Sequence, residues 1–459
     1  MEYTIRFGRT DPIAAAGKTA GMHFSSFNHI TPLPGTDDVL LYNFFTCALM
    51  RLDPVQKRLF DFMSELSDDH PLKKSWRRAG FITELDEIGL LREITGACRE
   101  AYESSENKTF SLTLHVTSLC NFDCPYCFQA RRTGNMSDPV QEAVLRFAEK
   151  MLASGRFGTF SVGWFGGEPL LAADIIRRLG RRFRAMAEQY GLNYTSNIHT
   201  NAYLLDQRMV DMLEDVGCEF VLITIDGYGA LHDKTRHLHG GGGTYDRILG
   251  NLSNIRTKMV LNIRSNLHRG NADSYDQLSK TIRAIAAATG NEMRCSPARV
   301  HVYDAGRRRG DVTEEITAEE YHRIEATTDL SERCGMFKPI HIPCHIAQPY
   351  DYVIDDEGYI YAHCNEYAVD QSRAFCNILE LSGGSYDRIE ALHADFIQQH
   401  SFPDDQPKCM GCARLPVCMG GCMVLREMHG APECPENLLE PDAFILKQYR
   451  QWRSSQRNI

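Results

Sequence analysis

The chain has 459 residues, 43% of them hydrophobic and 24% charged, with a net charge of -10. That is ordinary globular usage on a length that exceeds one hydrophobic core, so two or three domains are expected and disorder is excluded. An acidic balance gives no global field for phosphate backbones, no apolar run reaches the ~20 residues of a membrane helix, and Met1 to Pro12 lacks the core of a signal peptide, so neither nucleic acid nor membrane is an expected partner and the cytoplasm is the expected location.

From the N-terminus, Met22–Phe27 and Val39–Asn43 alternate as strands around the turn-rich Pro32–Asp38 and predict a hairpin. Asp53 and Pro54 open a helix carrying Leu59, Phe60, Met63 and Leu66 at helical spacing, and two more helices fit Pro71–Ala79 and Glu84–Tyr102. Strands followed by three short helices predict a winged-helix-like α+β domain over 1–108. Beyond Phe110 apolar strands alternate with amphipathic helices, the pattern of a parallel sheet with crossover helices. The strands are placed at Ser111–Thr117, Phe160–Phe165, Asn197–Asn201, Phe220–Ile225, Val260–Arg264 and Arg299–Tyr303. Helices fall between them at Val140–Ala153, Ala172–Tyr190, Asp206–Asp215, Tyr245–Thr257 and Tyr275–Ala288. The fold class is α/β: a partial (β/α)6 TIM-like barrel over 109–331, flanked by the N-terminal domain and a cysteine-rich domain over 332–459. The glycine run Gly240–Gly243 lacks the lysine of a phosphate-binding loop and is expected to be a connector into the next helix.

Sixteen cysteines in a reducing compartment should be thiols or metal ligands, and most are clustered. Cys120, Cys124 and Cys127, spaced C-x3-C-x2-C, follow the first barrel strand, where parallel α/β folds gather their ligands. Three thiolates hold a [4Fe–4S] cube by three corners and leave one iron open, whereas zinc wants a fourth ligand close by; for the triplet alone both stay open, with the cluster favoured.

The triplet, with Tyr126 before its last cysteine, resembles that of the radical S-adenosylmethionine enzymes. Gly166-Gly167-Glu168-Pro169 after the second strand is similar to the family segment that meets the cofactor's amino group. The other strand ends agree: Asn201 on the third, Thr224 and Asp226 on the fourth with Arg236 beyond, and Arg264 with Asn266 on the fifth. The resemblance implies that these residues contact the cofactor's ribose and carboxylate and that Tyr126 lies beside its adenine. Each strand end alone is as well explained as a cap of the next turn.

Cys409-x2-Cys412-x5-Cys418-x3-Cys422 and Cys434, with Cys344 and Cys364 around Gly358, resembles the SPASM extension of radical enzymes. It implies two auxiliary [4Fe–4S] clusters, three clusters in all. Cys409, Cys412, Cys418 and Cys434 would hold one; Cys344, Cys364 and Cys422 would hold the other, with Cys334, Cys376, a substrate thiolate or nothing as fourth ligand. Gly358 and Cys364 enclose five residues where the family has four. Where sulfatase-maturing relatives carry an acid directly after the cysteine matching Cys364, this chain has Asn365, and an amide cannot accept a proton. His363 and Asp226 are candidate acid/base groups. Cys47, Cys98, Cys218 and Cys295 are expected as small buried hydrophobes.

The implied activity is that of a radical SAM peptide maturase, cleaving S-adenosylmethionine to a 5′-deoxyadenosyl radical that takes hydrogen from a peptide and leads to a crosslink such as a thioether. The implied partners are a ribosomally made precursor peptide, whose leader would add a strand to the N-terminal domain, and a one-electron donor such as flavodoxin or ferredoxin. The alternatives are a sulfatase-type maturase oxidising Ser or Cys and a non-catalytic iron–sulfur or zinc protein.

Overall fold

The computed structural model describes residues 4–5, 18–105, 108–129, 134–300, 316–317, 320–321, 324, 345–381, 386–400, 402–430, 432, 434, 438 and 441–456. The chain divides into two compact units, one of Met1–Tyr102, Glu332–Cys344 and Gln399–Ile459, the other of Glu103–Ser331 and His345–Gln398. The segment 332–459, expected as one domain, is thus shared between them.

In the first unit β1 (Thr4–Ile5), β3 (Asn28–Pro32), β4 (Val39–Asn43) and β5 (Leu49–Leu52) form an antiparallel sheet in the order β1-β5-β4-β3. Separately, β2 (Lys18–Phe24) pairs with β6 (Ile82–Leu85). The hairpin partner of Val39–Asn43 is therefore Asn28–Pro32, not Met22–Phe27. Proline is tolerated at the end of such an edge strand because no ladder donor is needed there. Helix α1 (Pro54–Asp61) starts at the expected place, with Asp53 accepting from Gln56 N and the Gln56 side chain accepting from Asp53 N. Helix α2 (Pro71–Ala79) ends on Gly80 at φ +83°, and α3 spans Glu87–Ser104. Phe27, Leu40, Tyr42 and Phe44 of the N-terminal segment share a core with Leu415, Val417, Ile445 and Tyr449. This common apolar core is the physical reason that residues far apart in sequence form one unit.

The second unit is a mixed α/β body on a nine-stranded sheet. Six strands run parallel in sequence order: β7 (Lys108–Thr117), β8 (Phe157–Gly166), β9 (Asn193–Thr200), β10 (Cys218–Thr224), β11 (Val260–Leu267) and β12 (Met293–Arg299). Helices α4 (Asp138–Leu152), α5 (Ala173–Gln189), α6 (Gln207–Asp215), α7 (Ala230–Thr235), α8 (Tyr245–Asn254) and α9 (Tyr275–Thr289) lie between them in the chain. Beyond β7 the sheet continues with β13 (Asp351–Ile354), parallel to it, then β14 (Tyr359–Ala362) and β15 (Cys376–Asn377), antiparallel. The sixth strand lies six residues earlier than expected and ends where the expected one began; 301–303 fall outside the described residues. Along β10 and β11 one parity, with Val221, Ile223, Leu261 and Ile263, is fully buried, and the other, with Leu222, Thr224, Arg264 and Asn266, faces a cleft. Among the described residues no helix is long and apolar enough to cross a membrane.

Candidate active site

The cysteine loop is fastened to the end of the sheet by its own backbone. Thr117 O accepts from Gly167 N at 2.9 Å and Leu119 O from Glu168 N at 2.8 Å, so the end of β8 docks on the chain leaving β7. A Cβ on Gly166 would meet Thr117 O at 2.2 Å, and one on Gly167 would meet Leu119 O at 2.1 Å. The two glycines are therefore required by this backbone crossing, a reason the sequence did not reveal. The loop is held from the other side by 237–239: Phe122 bridges Leu238, Asp123 N donates to His237 O, and His239 N donates to Asn121 O. Gly241 N donates to Leu238 O and Leu238 N to Gly242 O, so the glycine run forms the turn of this strap as well as the connector to α8.

Cys120 and Cys124 are partly buried and Cys127 is exposed, and all three line one cleft. Burial pushes the Cys120 thiol up to about 11 and Cys124 up to about 12, with Arg236 pulling both the other way. Phe122 N donates to Cys120 Sγ at 3.4 Å. A sulfur that already accepts an amide, beside two further thiols and a nearby guanidinium, is a donor set that fits an iron–sulfur cluster with three protein ligands.

Next to the thiols lies a buried polar network. The Tyr126 hydroxyl donates to Asp226 Oδ2 and accepts from Arg236 Nη1 at 2.9 Å and Asn266 Nδ2 at 3.4 Å. Asp226 is 0% exposed, and burial raises its pKa against the opposing pull of Arg236 and Tyr126. Its backbone N–H donates to His232 Nδ1 at 3.0 Å, while His232 Nε2 lies 3.0 Å from Thr244 Oγ1. Burial drives the His232 pKa far down, so the ring is neutral, with Nδ1 as acceptor and Nε2 as donor. Among the described residues Arg236 Nε is buried without a hydrogen-bond partner, leaving a guanidinium donor for an anionic group in the cleft.

Glu168 turns inward. Its carboxylate accepts from Thr200 Oγ1 at 2.6 Å, Asn201 N at 2.7 Å and Leu170 N at 3.1 Å, and burial raises its pKa against these bonds. Asn201 Nδ2 donates to Asn121 Oδ1 at 2.8 Å, joining the end of β9 to the cysteine loop. Of the expected cofactor residues, Tyr126, Gly166, Gly167, Asn201, Thr224, Arg236, Arg264 and Asn266 line the cleft; Asp226 supports it from behind through Tyr126 and Asn266, and Glu168 through Thr200 and Asn201.

The cleft, about 1160 Å³ including its open mouth, also takes in residues that the sequence did not single out: Phe165, His199, Arg299 and Glu366. Phe165 packs between His115 and His199, with ring centroids 5.1 and 5.0 Å away. Asn365 lines the cleft too, and its Oδ1 lies 2.8 Å from His115 Nε2. Period-two alternation places 115, 165 and 199 on the cleft side of their strands, which is the signal that was available. His363 pairs with Asp351 at 2.7 Å; burial would lower its pKa, but the Asp351 bond and charge leave it raised.

In the first unit the Cys409 thiol is raised by burial first and then by the nearby Cys412 and Cys434, and the Cys418 thiol is pushed up to about 11 by burial and then by Cys434, Cys409 and Cys412. Four converging thiols with the Arg414 guanidinium among them fit a fully ligated cluster. Among the described residues no group of three His, Cys, Asp or Glu is arranged for a single metal ion. Cys364 belongs to the second unit and Cys422 to the first, while Cys344 and Cys334 lie outside the described residues. Cys376 is half-buried on β15. Cys47 and Cys218 are buried as expected, whereas Cys98 and Cys295 are only partly so.

Residues 114–284 match the model of the radical SAM superfamily, and the chain carries a radical SAM domain. Among curated proteins, Fe-coproporphyrin III synthase of Methanosarcina barkeri is 25% identical over 255 residues, 54% of this chain and 59% of that protein. Among solved structures, native anSMEcpe with bound AdoMet and Cp18Cys peptide superposes with a TM-score of 0.56 at 18% identity, over 76% of this chain and 100% of that one. Streptococcus suis SuiB bound to precursor peptide SuiA gives 0.51 at 15% identity, over 91% and 99%. At these identities the likenesses establish the fold, and the chain spans little more than half the length of the synthase.

Proposed function

We propose that this protein is a radical SAM peptide maturase that forms a crosslink, such as a thioether, in a ribosomally made precursor peptide. The observation that carries the reading is the meeting, in one cleft of a radical SAM domain, of three thiols with a partly unpaired guanidinium fork. Cys120, Cys124 and Cys127 would hold a [4Fe–4S] cluster. With S-adenosylmethionine bound, that cluster supplies the electron for reductive cleavage to a 5′-deoxyadenosyl radical, which takes a hydrogen atom from the substrate.

The chain's own residues bind and position. Arg236, fixed by Tyr126, is the natural partner for the cofactor's carboxylate. Asn201, Thr224 and Asn266 offer hydrogen bonds from three strand ends, Gly166 and Gly167 shape the floor, and Glu168 and Asp226 lock the supporting loops from below. The fit of Cys409, Cys412, Cys418 and Cys434 to an auxiliary cluster adds a SPASM-like electron route, fed by a donor such as flavodoxin or ferredoxin. The winged-helix-like N-terminal segment would take the leader peptide as an added strand; β3, at one edge of its sheet, is the candidate edge. SuiB is described with a precursor peptide bound, which is in keeping with a peptide substrate here.

A sulfatase-type oxidation of Ser or Cys is a second reading, favoured by one observation: Glu366, one residue beyond Asn365, brings a carboxylate to the cleft. The two readings are separated by incubating the reduced, reconstituted protein with S-adenosylmethionine and short peptides that contain Cys and Ser. Crosslinking gives a product about 2 Da lighter, in which a thiol is lost and no aldehyde appears. An aldehyde-bearing product supports the second reading, and an unmodified peptide contradicts both.

A further inference from the structure

Of the three guanidinium groups that line the cleft, those of Arg236 and Arg264 stand in different surroundings. Arg236 keeps company with the thiols: it bonds Tyr126, and its charge acts on Cys120 and Cys124. Arg264, on β11, acts instead on His199, whose pKa is pushed down to about 4 by burial first and then by Arg264, His363 and His115. The Nε of Arg264 donates to Asn266 Oδ1 at 3.0 Å, and among the described residues its two terminal nitrogens have no partner. Arg264 is exposed where Arg236 is half-buried. A fork whose outer donors are free, on a wall facing a cleft, is arranged for a bidentate oxyanion.

S-adenosylmethionine carries one carboxylate, and the guanidinium beside the thiols suffices for it. We propose that Arg264 is the anchor for a carboxylate of the substrate, so that the peptide enters the cleft by an Asp or Glu side chain. This rests on the reading of the cleft as a radical SAM site. Three neighbours support it. Phe165, packed on His199, gives an apolar wall for the methylenes of such a side chain. The neutral His199 ring adds a hydrogen-bonding group without a second charge. Glu366, whose carboxylate also lines the cleft, repels a carboxylate placed near it and leaves the Arg264 fork as the preferred seat.

The test uses anaerobically reconstituted holoenzyme, with S-adenosylhomocysteine filling the cofactor's place, titrated with acetyl-Ala-Glu-Ala-amide, acetyl-Ala-Gln-Ala-amide and glutarate. The Glu tripeptide is expected to bind about tenfold more tightly than the Gln tripeptide. R264Q should abolish that preference and R264K restore part of it, with iron and sulfide content unchanged. S-adenosylmethionine affinity should fall about tenfold in R236Q and by clearly less in R264Q, which loses only the bond that holds Asn266. Tighter binding of glutarate than of the tripeptide supports the same anchor with a small acid as its source. Equal binding of the two tripeptides, no measurable binding of either, or a loss of cofactor affinity in R264Q equal to that in R236Q overturns the proposal. Wild-type holoenzyme that fails to bind S-adenosylmethionine at all overturns the underlying reading of the cleft, and is told apart by that measurement alone.

Discussion

Replacing Tyr126 with Phe removes one oxygen and leaves the ring in place. That oxygen is the common partner of Asp226, Arg236 and Asn266, so three bonds go at once. Among the described residues Asp226, 0% exposed, then keeps only Thr235 Oγ1 and Asn266 N, both at 3.3 Å, and the Arg236 side chain loses the one hydrogen bond it makes there. A hydrogen bond to a charged group contributes about 1.5–3 kcal/mol, and a buried charge left poorly matched adds to the loss. The Asn266 bond, at 3.4 Å, adds little. We expect a destabilisation of about 3 kcal/mol, which in a unit of this size lowers Tm by about 6 °C. Since Arg236 is also freed to wander, S-adenosylmethionine affinity should fall about tenfold. Anaerobic differential scanning fluorimetry and equilibrium dialysis of the reconstituted Y126F protein provide both numbers. An unchanged Tm together with unchanged affinity would refute the network's role.

Gly167→Ala places a Cβ 2.1 Å from Leu119 O, a backbone atom that cannot swing aside. The loop carrying Cys120 must move, so stability should fall by at least about 1–3 kcal/mol and iron retention on gel filtration should drop with it; full iron content at wild-type Tm would contradict the crossing described here. Acid should also weaken the fold. His232 and His393, 0% and 2% exposed, have their pKa values pushed down by burial, His393 to about 4. Each folded-state pKa is below the unfolded value, so the unfolded chain binds more protons as pH falls through about 6.5, and stability present above that value is lost below it. At pH 5.5 the two together cost about 3 kcal/mol. His363 acts in the opposite sense, its raised pKa adding stability at low pH that fades as pH rises, and trims the loss. Urea midpoints at pH 7.5 and 5.5 check this, equal midpoints being the contrary result.

The parallel strands were legible because their apolar parity is continuous: Val221, Ile223, Leu261 and Ile263 need burial in any arrangement. The strand Met293–Arg299 was missed because it contains Pro297 and little apolar alternation, whereas the alternation of Arg299-Val-His-Val-Tyr drew the expectation to 299–303, of which 301–303 lie outside the described residues. In the N-terminal segment the apolar Met22–Phe27 outshone the polar Asn28–Pro32, which owes its pairing to β4. The thiols and strand-end residues of the cleft could be found because short motifs carry them. Arg299 and Glu366 could not, since each sits in no motif, while for Phe165 and His199 strand alternation gave the face but not the meaning, which comes only when separate strands converge. The glycine pair was found for an incomplete reason, because a backbone crossing between β7 and β8 leaves no mark on composition. The sharing of 332–459 between two units follows from long-range apolar contacts with the N-terminal sheet, which local periodicity does not encode.

The central claim, that Cys120, Cys124 and Cys127 make this cleft a site of reductive S-adenosylmethionine cleavage, is tested most directly by one quantity. It is the 5′-deoxyadenosine released when anaerobically reconstituted, dithionite-reduced protein is mixed with the cofactor, compared with the protein carrying alanine at all three positions. The wild type should release it over time and the variant none above background. Release that survives the loss of the three thiols, or is absent from the fully loaded wild type, would contradict it.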